Sequence, residues 1–234
     1  MSIDKKYLDG DYLEQNPTFH VEDSAWKATQ ILKGIGGNGI KAESIAEVGC
    51  GAGEILVQLA KKLPESKFTG YELSPQGYAL CKTRVKENIS FKNLDLFEDK
   101  DYFDLILCID VFEHIEDYFT FLRDLALKAE HFIFHIPLDM NAQMVARAEP
   151  IQRVRDVVGH LHYFSKDSAL SVLAHCGYEV KDWFYTSNGV DRPSSALART
   201  FKIPRKILQK LSPELTARLL GGYSLLVVAK KRSS

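Results

Sequence analysis

The stretch Glu47–Glu54, EVGCGAGE, decides how this chain is read. Its glycines, Gly49, Gly51 and Gly53, follow ESIAEV, an apolar run that suits a buried strand. They precede EILVQLAKKL (54–63), in which Ile55, Leu56, Leu59 and Leu63 recur at helical spacing. Strand, glycine turn and helix in that order let a backbone come close to a nucleotide-like ligand. A carboxylate stands at each end of the loop, Glu47 and Glu54. That is unusual for a turn that commonly holds phosphate.

Working outward, strand-like and helix-like runs alternate. SKFTGYEL (66–73) reads as a strand. SPQGYALCKTRVKEN (74–88) reads as a helix, with Ser74 as N-cap and Pro75 in the first turn. ISFKNLDL (89–96) is a third strand and YFDLILCIDVF (102–112) a fourth, apolar enough to be buried on both faces. EDYFTFLRDLALKAE (116–130) is a helix and HFIFHIP (131–137) a fifth strand. A less regular stretch runs to His162. A helix over 165–177 follows, with Ser165 as N-cap and Gly177 as its stop, then strands over 178–187 and 223–231.

This order predicts a doubly wound α/β fold with a mostly parallel seven-stranded sheet. The chain divides into an N-terminal helical cap (1–42), a core (43–187), a basic helical insertion (188–222) and a final strand (223–231) of a single domain. Glu72 closes the second strand, where a carboxylate can accept hydrogen bonds from ribose hydroxyls. Asp95 closes the third run. Both belong to the C-terminal rim of the sheet, where open α/β sheets bind ligands.

NAD is the first ligand to test against this rim. Its fingerprint, G-x-G-x-x-G/A, requires a third small residue, and here that position is Glu54. A pyrophosphate also seeks positive potential at the helix N-terminus, which Glu47 and Glu54 oppose. S-adenosylmethionine (SAM) has adenine and ribose, no phosphate, and a sulfonium and an ammonium instead. It suits the acidic loop better.

At these residues the chain resembles the class I SAM-dependent methyltransferases, small-molecule branch. EVGCGAGE is similar to their first motif, YELSP to the ribose-binding acid, NLDLFED to the adenine-contacting segment, and FDLILCIDVFEHIED to the fourth strand and its turn. GHLHYFSKDSALSVLAHCGYEV resembles the late helix and sixth strand. The resemblance runs from Glu43 to Gly177 and resumes in the last strand, which it implies is antiparallel. It implies that Gly49, Cys50, Gly51 and Gly53 line the methionine and ribose part of SAM. It places Glu72 on the ribose, Leu73, Asp95 and Leu96 on the adenine, and Asp110 near the methionine end or the methyl acceptor. Glu47 suits the cationic end of the ligand on charge.

Displacement from a sulfonium needs alignment more than activation of the donor, but a neutral acceptor must also lose a proton. His114, in VFEHIED, and His160, in GHLHYF, are candidates for that role. His160 and His162 share one face of an extended segment. No set of acidic ligands completes a metal site with them, and no metal is expected. Tyr12, Phe19, His20 and His162 are candidate substrate contacts; Tyr7 and Trp26 complete an aromatic N-terminal region that either forms a lid or simply covers the sheet. The run after the fourth strand, IDVFEH, is not the N-P-P-Y type that goes with amide or exocyclic nitrogen methylation. No G-x-S-x-G elbow is present. The leading reading is O- or N-methylation of a small molecule. A non-catalytic SAM-binding or membrane-docking module, or an NAD-dependent oxidoreductase, are the alternatives.

The net charge of -1 argues against a nucleic-acid partner. It conceals a basic segment, 192–218, with Arg192, Arg199, Lys202, Arg205, Lys206, Lys210 and Arg218, suited to an anionic surface or another subunit. Cys50, Cys81, Cys108 and Cys176 make no zinc spacing and read as buried thiols. With no signal-like N-terminus and no run near the ~20 apolar residues of a membrane span, a cytoplasmic protein is expected.

Overall fold

The computed structural model describes residues 18, 21–187, 208 and 210–232. Helix α1 (Val21–Gly37) leads into β1 (Ser44–Val48), α2 (Glu54–Ala60), β2 (Lys67–Tyr71), α3 (Pro75–Cys81), β3 (Ile89–Lys92) and β4 (Phe103–Ile109). Then come α4 (Tyr118–Leu125), β5 (Ala129–Pro137), α5 (Ala142–Arg147), α6 (Glu149–Arg153), α7 (Lys166–His175), β6 (Tyr178–Thr186), α8 (Pro213–Leu220) and β7 (Ser224–Lys231). The strands form one seven-stranded sheet of order β3-β2-β1-β4-β5-β7-β6. The pairs among β1 to β5 are parallel, and β7 runs antiparallel to both β5 and β6.

Local chemistry sets most boundaries. The Ser74 hydroxyl accepts from Gly77 N–H with Pro75 in the first turn, so α3 starts where its cap stands. It is shorter than its sequence pattern: after Cys81 the chain tightens into a 3₁₀ turn, and Val85 leaves helical space. Ser165 and Ser168 make a reciprocal capping box at the start of α7, and Gly177 turns out of it at φ 93°. Ser212 caps α8.

The stretch after β5 is more regular than its sequence suggests. Asn141 caps α5 through Met144 N–H, α6 follows, and Val154–Val158 form a π-helical turn. No residue of α5 or α6 is buried, so neither helix displays a clear apolar stripe.

Both sheet faces are covered. On one, Phe121, Leu122 and Leu125 of α4 and Ala169 and Leu173 of α7 pack on Phe132, Phe134 and Tyr178. On the other, Ile31 and Ile35 of α1 meet Leu56 and Leu59 of α2 over Leu105, Leu107 and Ile133. β4, buried along almost its whole length, is the shared floor. Among the described residues no helix is long and apolar enough to cross a membrane.

Candidate active site

The crossovers β1–α2–β2 and β4–α4–β5 leave neighbouring strands for opposite faces, because β1 pairs with both β2 and β4. The divergence opens a crevice at the strand ends. A cavity of about 350 Å³ lies there, floored by Val48, Tyr71 and Ile109 and walled by Trp26 and Lys27 of α1. Of the cofactor residues expected from sequence, Glu47, Gly49, Cys50, Gly51, Glu72, Leu73, Asp95, Leu96 and Asp110 line it.

Gly53 is placed differently. It sits at φ 76°, and a Cβ there would stand 2.4 Å from the Phe91 ring. It brings α2 tightly against β3 rather than lining the cavity. Gly53 thus takes the close-packing role that the dinucleotide fingerprint gives to the position occupied here by Glu54.

The loop's carboxylates differ from a simple acidic fence. Glu54 pairs with Arg84 at 2.8 Å and accepts from Gln58 Nε2 at 2.6 Å, which holds its carboxyl below the usual range against the cost of burial. Its charge is already answered by a residue that sequence order leaves distant. Glu47 is only 2% exposed, and its Oε2 has no hydrogen-bond partner. Burial pushes its carboxyl well above the usual range. The loop therefore presents one buried acid that a cationic group would satisfy.

Glu72 ties the rim together. Its Oε2 accepts from Gly51 N–H and its Oε1 from Ser74 N–H, each at 2.7 Å. Burial outweighs both bonds and raises its pKa to about 7. Asp95 belongs to the loop beyond β3, which ends at Lys92, and Asp95 Oδ1 accepts from Phe97 N–H.

Asp110 stands at φ 55° just past β4. Lys27 Nζ reaches its Oδ2 at 2.8 Å and His135 Nδ1–H donates to its Oδ1 at 2.6 Å. His135 Nε2 lies 2.9 Å from Thr186 Oγ1. Burial works against the Asp110 charge, but His135 and Lys27 outweigh it and hold the carboxyl far below the usual range. Trp26 meets the His135 ring edge-on. None of Lys27, His135 and Thr186 stands in a motif, so sequence order offers no signal for this network.

The turn after β4 carries the histidines. Glu113 carbonyl oxygen accepts from Leu161 N–H at 2.8 Å and His162 N–H at 3.0 Å, which pins the 159–163 segment over the turn. His114 Nδ1–H donates to Gly159 O at 3.0 Å, and His160 Nδ1 lies 2.6 Å from Asp139 Oδ2. The rings of His114 and His160 meet edge-on at 4.8 Å. Both line the cavity. His162 does not share their position: it donates to Ile115 O at 3.0 Å and packs on Tyr118, so the His-x-His spacing brings only His160 to the site. Burial, then the neighbouring His160, lowers the His114 pKa to about 4, which makes it a weak proton acceptor. Glu113, buried beside them, went unnoticed in the sequence although it adjoins His114.

Residues 46–130 match the family model described as a methyltransferase domain. That span holds the glycine loop, Glu72, Asp95, Asp110 and His114, on a sheet of the order just described. Over these residues the chain is similar to a methyltransferase domain. Solved structures share its fold. One is magnesium protoporphyrin IX methyltransferase from Synechocystis PCC 6803 with bound SAM, with a TM-score of 0.61, 15% identity, and coverage of 99% of each chain. Another is a chain solved with the Trm112 methyltransferase activator from Haloferax volcanii, with a TM-score of 0.66, 14% identity, and coverage of 100% of this chain and 99% of that one. In sequence, N-methyltransferase 4 of Papaver somniferum is 28% identical over 93 residues, 36% of this chain. The chain spans 26% of that relative's length.

Three expected substrate contacts of the domain, Tyr12, Phe19 and His20, lie outside the described residues, as does most of the basic segment. Of that segment, Arg218 is described and is not a free cation. It pairs with Glu214 at 2.7 Å and with Asp167, while Lys166 also reaches Glu214.

Proposed function

We propose that this domain transfers a methyl group from SAM to an oxygen or nitrogen of a small molecule. The observation that carries the cofactor half is the buried Glu47 with its unpartnered Oε2, facing the same cavity as Glu72 and the glycine loop. An ammonium satisfies such an oxygen; a phosphate does not. Glu47 would hold the amino group, Glu72 the ribose hydroxyls, and Leu73, Asp95 and Leu96 the adenine. When bound, the sulfonium supplies a methyl group already activated for displacement.

The chain's own contribution is then placement and exclusion of water. The Lys27–Asp110–His135 network fixes α1 against the strand ends, and Trp26 closes that side. Val158 and His160 line the cavity as well. A cavity of about 350 Å³ is of the size that small-molecule sites have, which favours a small acceptor over a polymer. The magnesium protoporphyrin IX methyltransferase, named for a small-molecule substrate, shares this architecture.

Isothermal calorimetry with SAM and with NAD tests the reading. SAM is expected to bind with a stoichiometry of one; binding of NAD with no heat from SAM would overturn it.

A further inference from the structure

We propose that Glu113, His114 and His160 bind one divalent transition-metal cation in the cavity wall, and that this cation receives the hydroxyl oxygen of the methyl acceptor. The ligand-capable atoms of these side chains all lie within 4.8 Å of one another. The metal site stands on its own geometry; its use rests on the methyl-transfer reading.

Three independent features point to a cation. Glu113 is 1% exposed, and neither of its carboxylate oxygens has a hydrogen-bond partner. A buried carboxyl left so is costly unless a ligand completes it. Glu113 Oε1 also lies 4.0 Å from His114 Nε2, so its side chain is aimed at the histidines. Finally, each imidazole is held through Nδ1, His114 by Gly159 O and His160 by the Asp139 carboxylate. In that orientation Nε2 is the ring atom each would offer to a metal. Metal-binding histidines are commonly oriented this way, by a carbonyl or carboxylate on the other ring nitrogen.

Two imidazole nitrogens and one carboxylate make a mixed donor set. It suits Zn²⁺, Co²⁺, Fe²⁺ or Mn²⁺ better than the all-oxygen preference of Mg²⁺ or Ca²⁺. Ligand atoms in a tetrahedral site with bonds of about 2.1 Å stand about 3.4 Å apart, so side-chain rotations on the order of 1 Å close the cluster. Because His114 and His160 line the cavity, the remaining coordination positions face it.

This deepens the proposed reaction toward oxygen acceptors. A hydroxyl held by a divalent cation is more acidic than in water. Its proton leaves to solvent. The oxygen lone pair forms the new C–O bond with the donated methyl carbon as the C–S bond breaks. That electron pair goes to sulfur, which ends as a neutral thioether. His114 then serves as a ligand and needs no basicity of its own.

The test uses the whole chain, freed of metal by chelator dialysis and titrated separately with Zn²⁺, Co²⁺, Mn²⁺ and Mg²⁺. One equivalent of Zn²⁺ or Co²⁺ is expected, with Co²⁺ showing ligand-field bands and no thiolate charge transfer. Glu113→Gln and His160→Gln should weaken binding at least tenfold, and the milder Asp139→Asn about tenfold to hundredfold. Circular dichroism of each variant separates loss of a ligand from loss of the fold; if the ligand variants do not fold, Asp139→Asn carries the test. No saturable one-to-one binding, saturation by Mg²⁺ but not Co²⁺, or unchanged affinity in the folded variants would overturn the site. Calorimetry with SAM on the same samples keeps the two readings apart. Retained SAM binding without metal binding removes the metal site alone. Metal binding without SAM binding keeps the site and removes the methyl-transfer reading.

Discussion

Lys27 of α1 and Asp110 just past β4 form a 2.8 Å ion pair in the lining of the cavity. The pair joins helix α1 to the sheet at the end of β4. Removing one partner of such a largely buried pair leaves the other charge uncompensated. Lys27→Met should therefore lower stability by about 3 kcal/mol and weaken SAM binding with it. Urea denaturation and calorimetry check this; a stability change within the scatter of surface substitutions would show that α1 is held by its apolar face alone.

Glu72 makes stability depend on pH. Its pKa is raised by burial from 4.5 to about 7 in the folded protein. Its contribution is therefore fully present below pH ~4.5 and is lost as pH rises through about 7, an effect on the order of 3 kcal/mol at most. The melting temperature of the ligand-free protein should fall between pH 5 and 8 by more than that of Glu72→Gln. Parallel pH profiles for the two proteins would exclude Glu72 as the source.

Glu47 should matter to one end of the ligand only. Glu47→Gln removes the anion that would receive the ammonium and leaves the nucleoside contacts intact. SAM affinity should drop roughly tenfold to hundredfold, the range expected for a hydrogen bond to a charged group, while adenosine binds as before. Equal loss for both ligands, read by calorimetry, would mean that Glu47 acts through loop structure.

Gly53→Ala tests the packing role of the loop's last glycine. The new Cβ would meet Phe91 at 2.4 Å on a backbone at φ 76°. A loss of about 3 kcal/mol is expected from strain and overpacking together. Combining it with Phe91→Leu should give less than the sum of the two losses, because the clash is shared. Additive losses would remove Phe91 as the cause.

Much of this molecule was legible in residue order. Ser74 and Ser165 announce helix starts because a cap acts within three residues of itself. β4 reads as a buried strand because its burial is nearly continuous. The glycine loop and Glu72 stand at recognisable offsets, and they line the cavity where the rim was expected. α5 and α6 were missed because solvent-exposed helices need no apolar stripe.

By itself, then, the sequence determined the alternating elements, the sheet that they build and the acidic glycine loop, all through interactions that are local or periodic. Tertiary structure alone decided which charges the loop keeps. Arg84 answers Glu54, while Glu47 is buried without a partner for Oε2. It alone also brought Glu113 and His114 against His160, because a turn after β4 bonds through its backbone to a segment far along the chain. Hydrogen bonds and ion pairs between distant segments leave no periodicity in sequence. Only the folded chain shows which side chains they bring together.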